Sequence, residues 1–311
     1  MLQIVLQLSL KILPMYFLIA LGFIAGRTKK INSEPIAILL IYFLIPVVIF
    51  FGVLSTPLDL PRLMLPLYTF GFCTIMALVF RVTQKKPLNK VHLGIWSYAC
   101  GSGNSGYFGI PLTYFLLGPE NVGLTILAAM GFIIYENTFG FYFVARSHHT
   151  VEESFKKILS LPTVWAFILA AVLQKAGLTM NPQEHSVMND IYQSFRNSYT
   201  LLGMVLLGLG ISKLTSLKIN WNILPRVFAF KFILWPTLMF GFLTLNKNYF
   251  HFFDLITTQV LFLISLIPLP VNAVAFSAAL KTDPDQTAWI VFLSTLFALF
   301  FIPAVWSLHL V

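Results

Sequence analysis

Two long apolar segments of this chain are interrupted at their centres. The first, 92–117, contains Cys100-Gly101-Ser102-Gly103-Asn104-Ser105-Gly106-Tyr107-Phe108-Gly109-Ile110-Pro111. The second, 252–280, contains Ile267-Pro268-Leu269-Pro270-Val271-Asn272-Ala273-Val274-Ala275. Glycine permits backbone angles that helices do not use, and proline removes a donor and blocks regular helix. Inside a bilayer no water satisfies the backbone groups so freed. A break of this kind persists only where protein or a wet cavity surrounds it. The two breaks occupy matching positions in the two halves of the chain, which is the sequence signature of a transporter's binding site.

The rest of the chain sets these breaks in a membrane. Only 10% of its 311 residues are charged and 58% are hydrophobic, whereas a soluble domain carries about 25% charged residues. A span needs roughly 20 apolar residues. Ten are expected, at 4–25, 34–54, 63–81, 92–117, 122–145, 162–179, 198–212, 222–244, 252–280 and 286–308. The first is read as a retained helix, because no small-residue cleavage site follows it.

The formal charge of +9 is a topology signal and not a nucleic-acid footprint. The odd-numbered connections and their flanks hold Arg27, Lys29, Lys30, Arg81, Lys85, Lys86, Lys90, Arg146, Lys156, Lys157, Lys213, Lys218, Arg226 and Lys281. The even ones hold Arg62, Lys175, Arg196 and Lys247. This asymmetry puts the odd connections in the cytoplasm and both termini outside. The membrane is then a plasma membrane or a bacterial inner membrane.

Ten spans divide into five plus five, and an odd number per half inverts the second half. The expected units are 1–145, a polar cytoplasmic linker at 146–161, and 162–311. Leu13-Pro14 is echoed by Leu161-Pro162, Leu65-Pro66 by Leu224-Pro225, and Asn104 by Asn272. The expected fold is an all-α polytopic membrane protein built as an inverted repeat.

In both broken spans the second half-helix starts near the midplane. A helix N-terminus carries about half a positive charge and several unpaired N–H groups. Two such ends make an anion site without a fixed cation. Asn104 and Asn272 would add amide donors. Ser102, Ser105 and Tyr107 are further polar candidates, Gly103 allows close approach, and Pro111 and Pro270 keep the gaps open. Pro46, Pro236 and Pro303 read as plain kinks.

Glu136 and Lys231 are ionisable groups inside spans and so are functional candidates. Each lies about 13 Å from the cytoplasmic end of its span at 1.5 Å per residue. Three readings stay open: a structural ion pair, a proton-coupling or gating group, or a glutamate alone in a wet cavity. No metal site is expected. His148 and His149 are adjacent and diverge on a helix, and HExxH, Walker and GxSxG motifs are absent from the sequence. Cys73 and Cys100 form no CxxC and no disulfide framework. No cofactor is implied. Gly22-Phe23-Ile24-Ala25-Gly26, with Gly203, Gly208 and Gly210, could mark close helix packing.

At Asn104-Ser105-Gly106-Tyr107-Phe108-Gly109-Ile110-Pro111-Leu112 the chain resembles the auxin efflux carrier family of the bile-acid/arsenite/riboflavin transporter superfamily. Pro270-Val271-Asn272-Ala273-Val274, Asp283-Pro284 and Leu293-Ser294-Thr295-Leu296 resemble the second-half signature of its bacterial members. The resemblance implies a crossover of spans 4 and 9 in a transport domain of spans 3–5 and 8–10. It implies a scaffold of spans 1, 2, 6 and 7 that dimerises, and an elevator-like motion. Its substrates are organic anions such as carboxylates. Gly103 stands where plant members carry proline, and their long cytoplasmic loop is absent, so auxin itself is not implied.

The leading expectation is a secondary carrier of a small organic anion, driven by the substrate gradient, the membrane potential or protons. The alternative is an anion channel or membrane sensor of the same fold. A channel would show flux without saturation or counterflow. A sensor would need a signalling domain or partner. An intramembrane enzyme would need a nucleophile–base or metal constellation, which the spans lack.

Overall fold

A computed structural model describes residues 2–84, 90–145, 159–180, 186–213, 220–279 and 283–308. All regular structure among them is helical. Most of the linker, with His148 and His149, lies outside the described residues, as do Lys85, Lys86, Lys218 and Lys281.

The helices are α1 (Leu2–Lys29), α2 (Ser33–Leu54), α3 (Leu65–Thr83), α4 (Lys90–Gly101), α5 (Ile110–Leu117), α6 (Val122–Asn137) and α7 (Phe139–Ala145). In the second half they are α8 (Pro162–Lys175), α9 (Ser186–Ser212), α10 (Leu224–Phe250), α11 (Leu255–Ser265), α12 (Asn272–Ala279) and α13 (Pro284–Trp306). Among the described residues six stretches are long and apolar enough to cross a membrane: α1, α2, α3, Pro119–Val144, α10 and α13. The molecule is thus a polytopic helical membrane protein.

The remaining expected spans differ for identifiable reasons. The fourth and ninth are each split in two, into helices of 12 and 8 residues and of 11 and 8 residues. The sixth stops at Lys175, where Gly177 takes φ 90°, a left-handed ending that suits glycine. The seventh starts at Ser186 and not at 198. Its polar first turns, Ser186 to Asn197, continue the helix ahead of the apolar run.

Prolines shape three helices in the same way. Pro46, Pro111 and Pro236 each follow a widened five-residue turn, at Leu40–Leu44, Ser105–Gly109 and Phe230–Leu234. A proline ring clashes with the carbonyl four residues back, and a wide turn moves that carbonyl aside. Lys231 sits in the third of these turns.

Burial orders the helices. In Pro119–Val144 the apolar window is 72% buried, whereas in α1 it is 17%. So α6 is central, and α1 turns Leu6, Leu10, Leu13, Phe17 and Ile24 outward, as a lipid-facing helix does. Against α9, α1 packs through small residues. A Cβ on Gly22 would strike the Val205 carbonyl, and one on Gly208 the Ile19 carbonyl. Gly26 faces Ser212 and Gly203 faces the Tyr107 ring, while Gly210 has nothing beside it. Without a hydrophobic force between helices in lipid, such backbone approach is what holds them. The Gln174 amide donates to the carbonyls of Val53 (3.1 Å) and Thr56 (2.6 Å), closing the end of α2 against α8.

Candidate functional site

The first break begins where α4 stops at Gly101. Asn104, at φ −74° and ψ 63°, centres a three-residue turn in which the Ser105 N–H donates to the Gly103 carbonyl at 2.7 Å; this is inverse γ-turn geometry. The Asn104 carbonyl then accepts from the N–H groups of Phe108 (3.2 Å) and Gly109 (2.9 Å), starting the second half-helix. In the second break, residues 267–270 leave the helix altogether. Two of these four are prolines, with no N–H to satisfy. The Leu269 N–H donates to Ser294 Oγ on α13 at 3.2 Å.

The breaks touch. The Asn104 N–H donates to the Pro268 carbonyl at 2.9 Å. Ile267 packs against Gly103, where a Cβ would lie 2.8 Å from its side chain. Each break therefore supplies the other with backbone and packing partners that lipid could not offer.

A cavity of about 280 Å³ opens beside this contact. Gly103, Asn104, Ser105, Gly106 and Tyr107 line it from the first break, and Pro270, Val271 and Asn272 from the second. Ile41, Ile45 and Ile49 of α2 form an apolar wall, and Ile126, Ile133, Glu136 and Asn137 of α6 another side. Few polar groups on a mostly apolar surface is the make-up of a small-molecule pocket. Asn104 is 5% exposed, and its Nδ2 has no hydrogen-bond partner. Buried donors are rarely left without one.

Glu136 is held at both oxygens. Ser102 Oγ donates to Oε1 at 2.6 Å, and Asn272 Nδ2 donates to Oε2 at 2.7 Å. The Tyr98 hydroxyl lies beside the same carboxylate without completing a bond. Lys231 is fully buried elsewhere. Its Nζ donates to the Ser102 carbonyl at 3.0 Å and sits 4.2 Å over the Trp235 ring. So Glu136 and Lys231 do not pair with each other. They hold opposite ends of one residue, Ser102, because each finds a nearer partner at the break.

The expected site residues thus fall in two groups. Asn104, Asn272, Ser105, Tyr107, Gly103, Pro270 and Glu136 share the cavity. Ser102 and Lys231 lie behind it at the break, and Pro111 is buried in the first turn of α5. Asn272 has an amide already engaged with Glu136, so it is less free a donor than its sequence position implies. Sequence reasoning missed Tyr199, Thr163 and Asn137, which also line the cavity, and Trp235, whose Nε1 donates to the Cys100 carbonyl at 2.6 Å. A polar aromatic inside an apolar span was a signal for Tyr199. It stacks on Tyr107 with ring centres 5.7 Å apart. Among the described residues no group of three or more His, Cys, Asp or Glu could hold a metal.

No family model matches the chain. It is 24% identical over 307 residues to a protein of Methanocaldococcus jannaschii named as an uncharacterized transporter, across 95% of this chain and 96% of that one. The match runs over nearly the whole length of both chains. With the helical membrane fold, it supports a membrane transporter, and the relative's name points to transport rather than catalysis.

Proposed function

We propose that the protein is a secondary carrier of a small organic anion, with carboxylates as the substrate class. In this reading the ten apolar segments form an inverted five-plus-five repeat, and the two broken spans cross at the substrate site. The observation that carries it is the Asn104 amide: a buried, unpaired donor on a residue that lines a cavity where two interrupted helices meet. The first turn after Asn104 adds backbone N–H groups at the positive end of a helix. An anion completes what the protein leaves unsatisfied.

The cavity walls favour motion of two bodies. Both breaks and α6 form one side, and α2 with Tyr199 of α9 the other. Tyr107 stacked on Tyr199 is a contact across that seam, and sliding along it would carry the site between the membrane faces. Leu161 and Thr163, at the start of α8, also line the cavity. With the odd connections cytoplasmic, this is an inward-facing state.

Glu136 makes protons the favoured coupling ion. A second carboxylate entering beside Glu136 meets a like charge in a low dielectric. One proton shared at the site removes that repulsion. The anion and the proton would then enter and leave together.

The reading is tested by counterflow in proteoliposomes, with labelled mono- and dicarboxylates. A carrier gives saturable uptake that unlabelled substrate on the far side accelerates. Flux without saturation or acceleration would favour the channel reading instead.

A further inference from the structure

At the end of α4 two backbone carbonyls are each met by a side chain from α10. Helix C-termini carry about half a negative charge from unpaired carbonyls. In carriers with broken helices, such carbonyls at mid-membrane are where coupling cations bind. Here α4 ends at Gly101, and the two carbonyls around that end are both occupied. Trp235 Nε1 takes the Cys100 oxygen at 2.6 Å, and Lys231 Nζ takes the Ser102 oxygen at 3.0 Å. The Trp235 ring lies under Nζ at 4.2 Å, a cation–π distance.

Among the described residues no carboxylate pairs with this lysine. Both Glu136 oxygens are bonded to Ser102 and Asn272. An unpaired buried charge is expensive, so its placement is set by the carbonyl and ring it meets. The widened turn Phe230–Leu234 aims it inward. Gly103 makes room, since a Cβ there would lie 2.8 Å from Nζ.

We propose that the Lys231 ammonium is a tethered substitute for a coupling metal cation, and that Na⁺ binds this carrier only when the amine is removed. The inference rests on the carrier reading for the word coupling, but its test needs no substrate. The bound cation moves with the broken helices because it is part of α10. A Na⁺ gradient therefore contributes nothing at this position.

The experiment is thermal unfolding of the purified full-length protein in NaCl and in choline chloride at equal ionic strength. Wild type and Lys231→Arg are expected to melt at the same temperature in both salts. Lys231→Ala, purified in NaCl throughout, is expected to show a saturable Na⁺-dependent rise of about 5 °C over choline. A saturable Na⁺-dependent rise in wild type would overturn the proposal. So would a Lys231→Ala protein with equal melting in both salts, or one that cannot be recovered folded even in NaCl. Carrier activity is read separately by counterflow, so a failed transport reading and a failed cation reading give different results.

Discussion

The Asn272 amide donates to Glu136 Oε2 at 2.7 Å, joining the first residue of α12 to the end of the central helix α6. The same carboxylate takes the Ser102 hydroxyl on its other oxygen. One side chain thereby ties both broken segments together beside the cavity. A change of charge at Glu136 is felt at both breaks at once.

Glu136→Gln keeps the shape and loses the ionisable group. Its amide oxygen accepts from Asn272, and its NH₂ donates to Ser102 Oγ, so the ties survive. Uptake by the variant should show a flat pH profile where wild type shows a sloping one, with ligand-induced thermal shifts preserved. A pH dependence equal to that of wild type would remove the proton from Glu136.

Asn104→Ala deletes a buried donor that has no partner within the protein. Leaving such a donor unsatisfied costs about 1–3 kcal/mol. The variant should therefore melt no lower than wild type while its uptake falls at least tenfold. A lost fold would show instead that the amide is structural.

Gly208→Val tests the α1–α9 seam, where a Cβ meets the Ile19 carbonyl. Overpacking of this kind costs about 1–3 kcal/mol, to be read as a lower melting temperature. Gly210→Ala, with open space around it, is the control and should melt within about 1 °C of wild type.

Gly106 and Tyr199 should be energetically coupled. A Cβ on Gly106 would lie 2.7 Å from the Tyr199 hydroxyl, and Tyr199 is fully buried. Gly106→Ala should reduce transport, and Tyr199→Phe should restore part of it. Additive losses in the double variant would exclude the contact.

Much of this is legible in the sequence itself. Gly101 to Pro111 and Ile267 to Pro270 announce their breaks because glycine and proline act locally. The cavity was approached from the same residues, since a freed backbone must find partners. What the sequence hid is what depends on how α6 and α10 rotate about their axes. Glu136 and Lys231 lie at equal depth, which made a pair conceivable, but depth does not say which way a side chain points. The wide turn before Pro236 aims Lys231 at the Ser102 carbonyl, and α6 aims Glu136 at the Ser102 hydroxyl. Tyr199 carries a local signal, a polar aromatic in an apolar span, but its place at the site depends on α9 entering from the other half, a long-range contact that the sequence does not show.

The most direct measurement is a thermal-shift titration of purified wild type and Asn104→Ala with a panel of mono- and dicarboxylates. At 100 times its Kd a ligand stabilises the folded state by about 2.7 kcal/mol. At least one carboxylate should raise the wild-type melting temperature saturably and leave Asn104→Ala unmoved. An undiminished rise in the variant, or no response to any carboxylate in wild type, would contradict an anion site at Asn104.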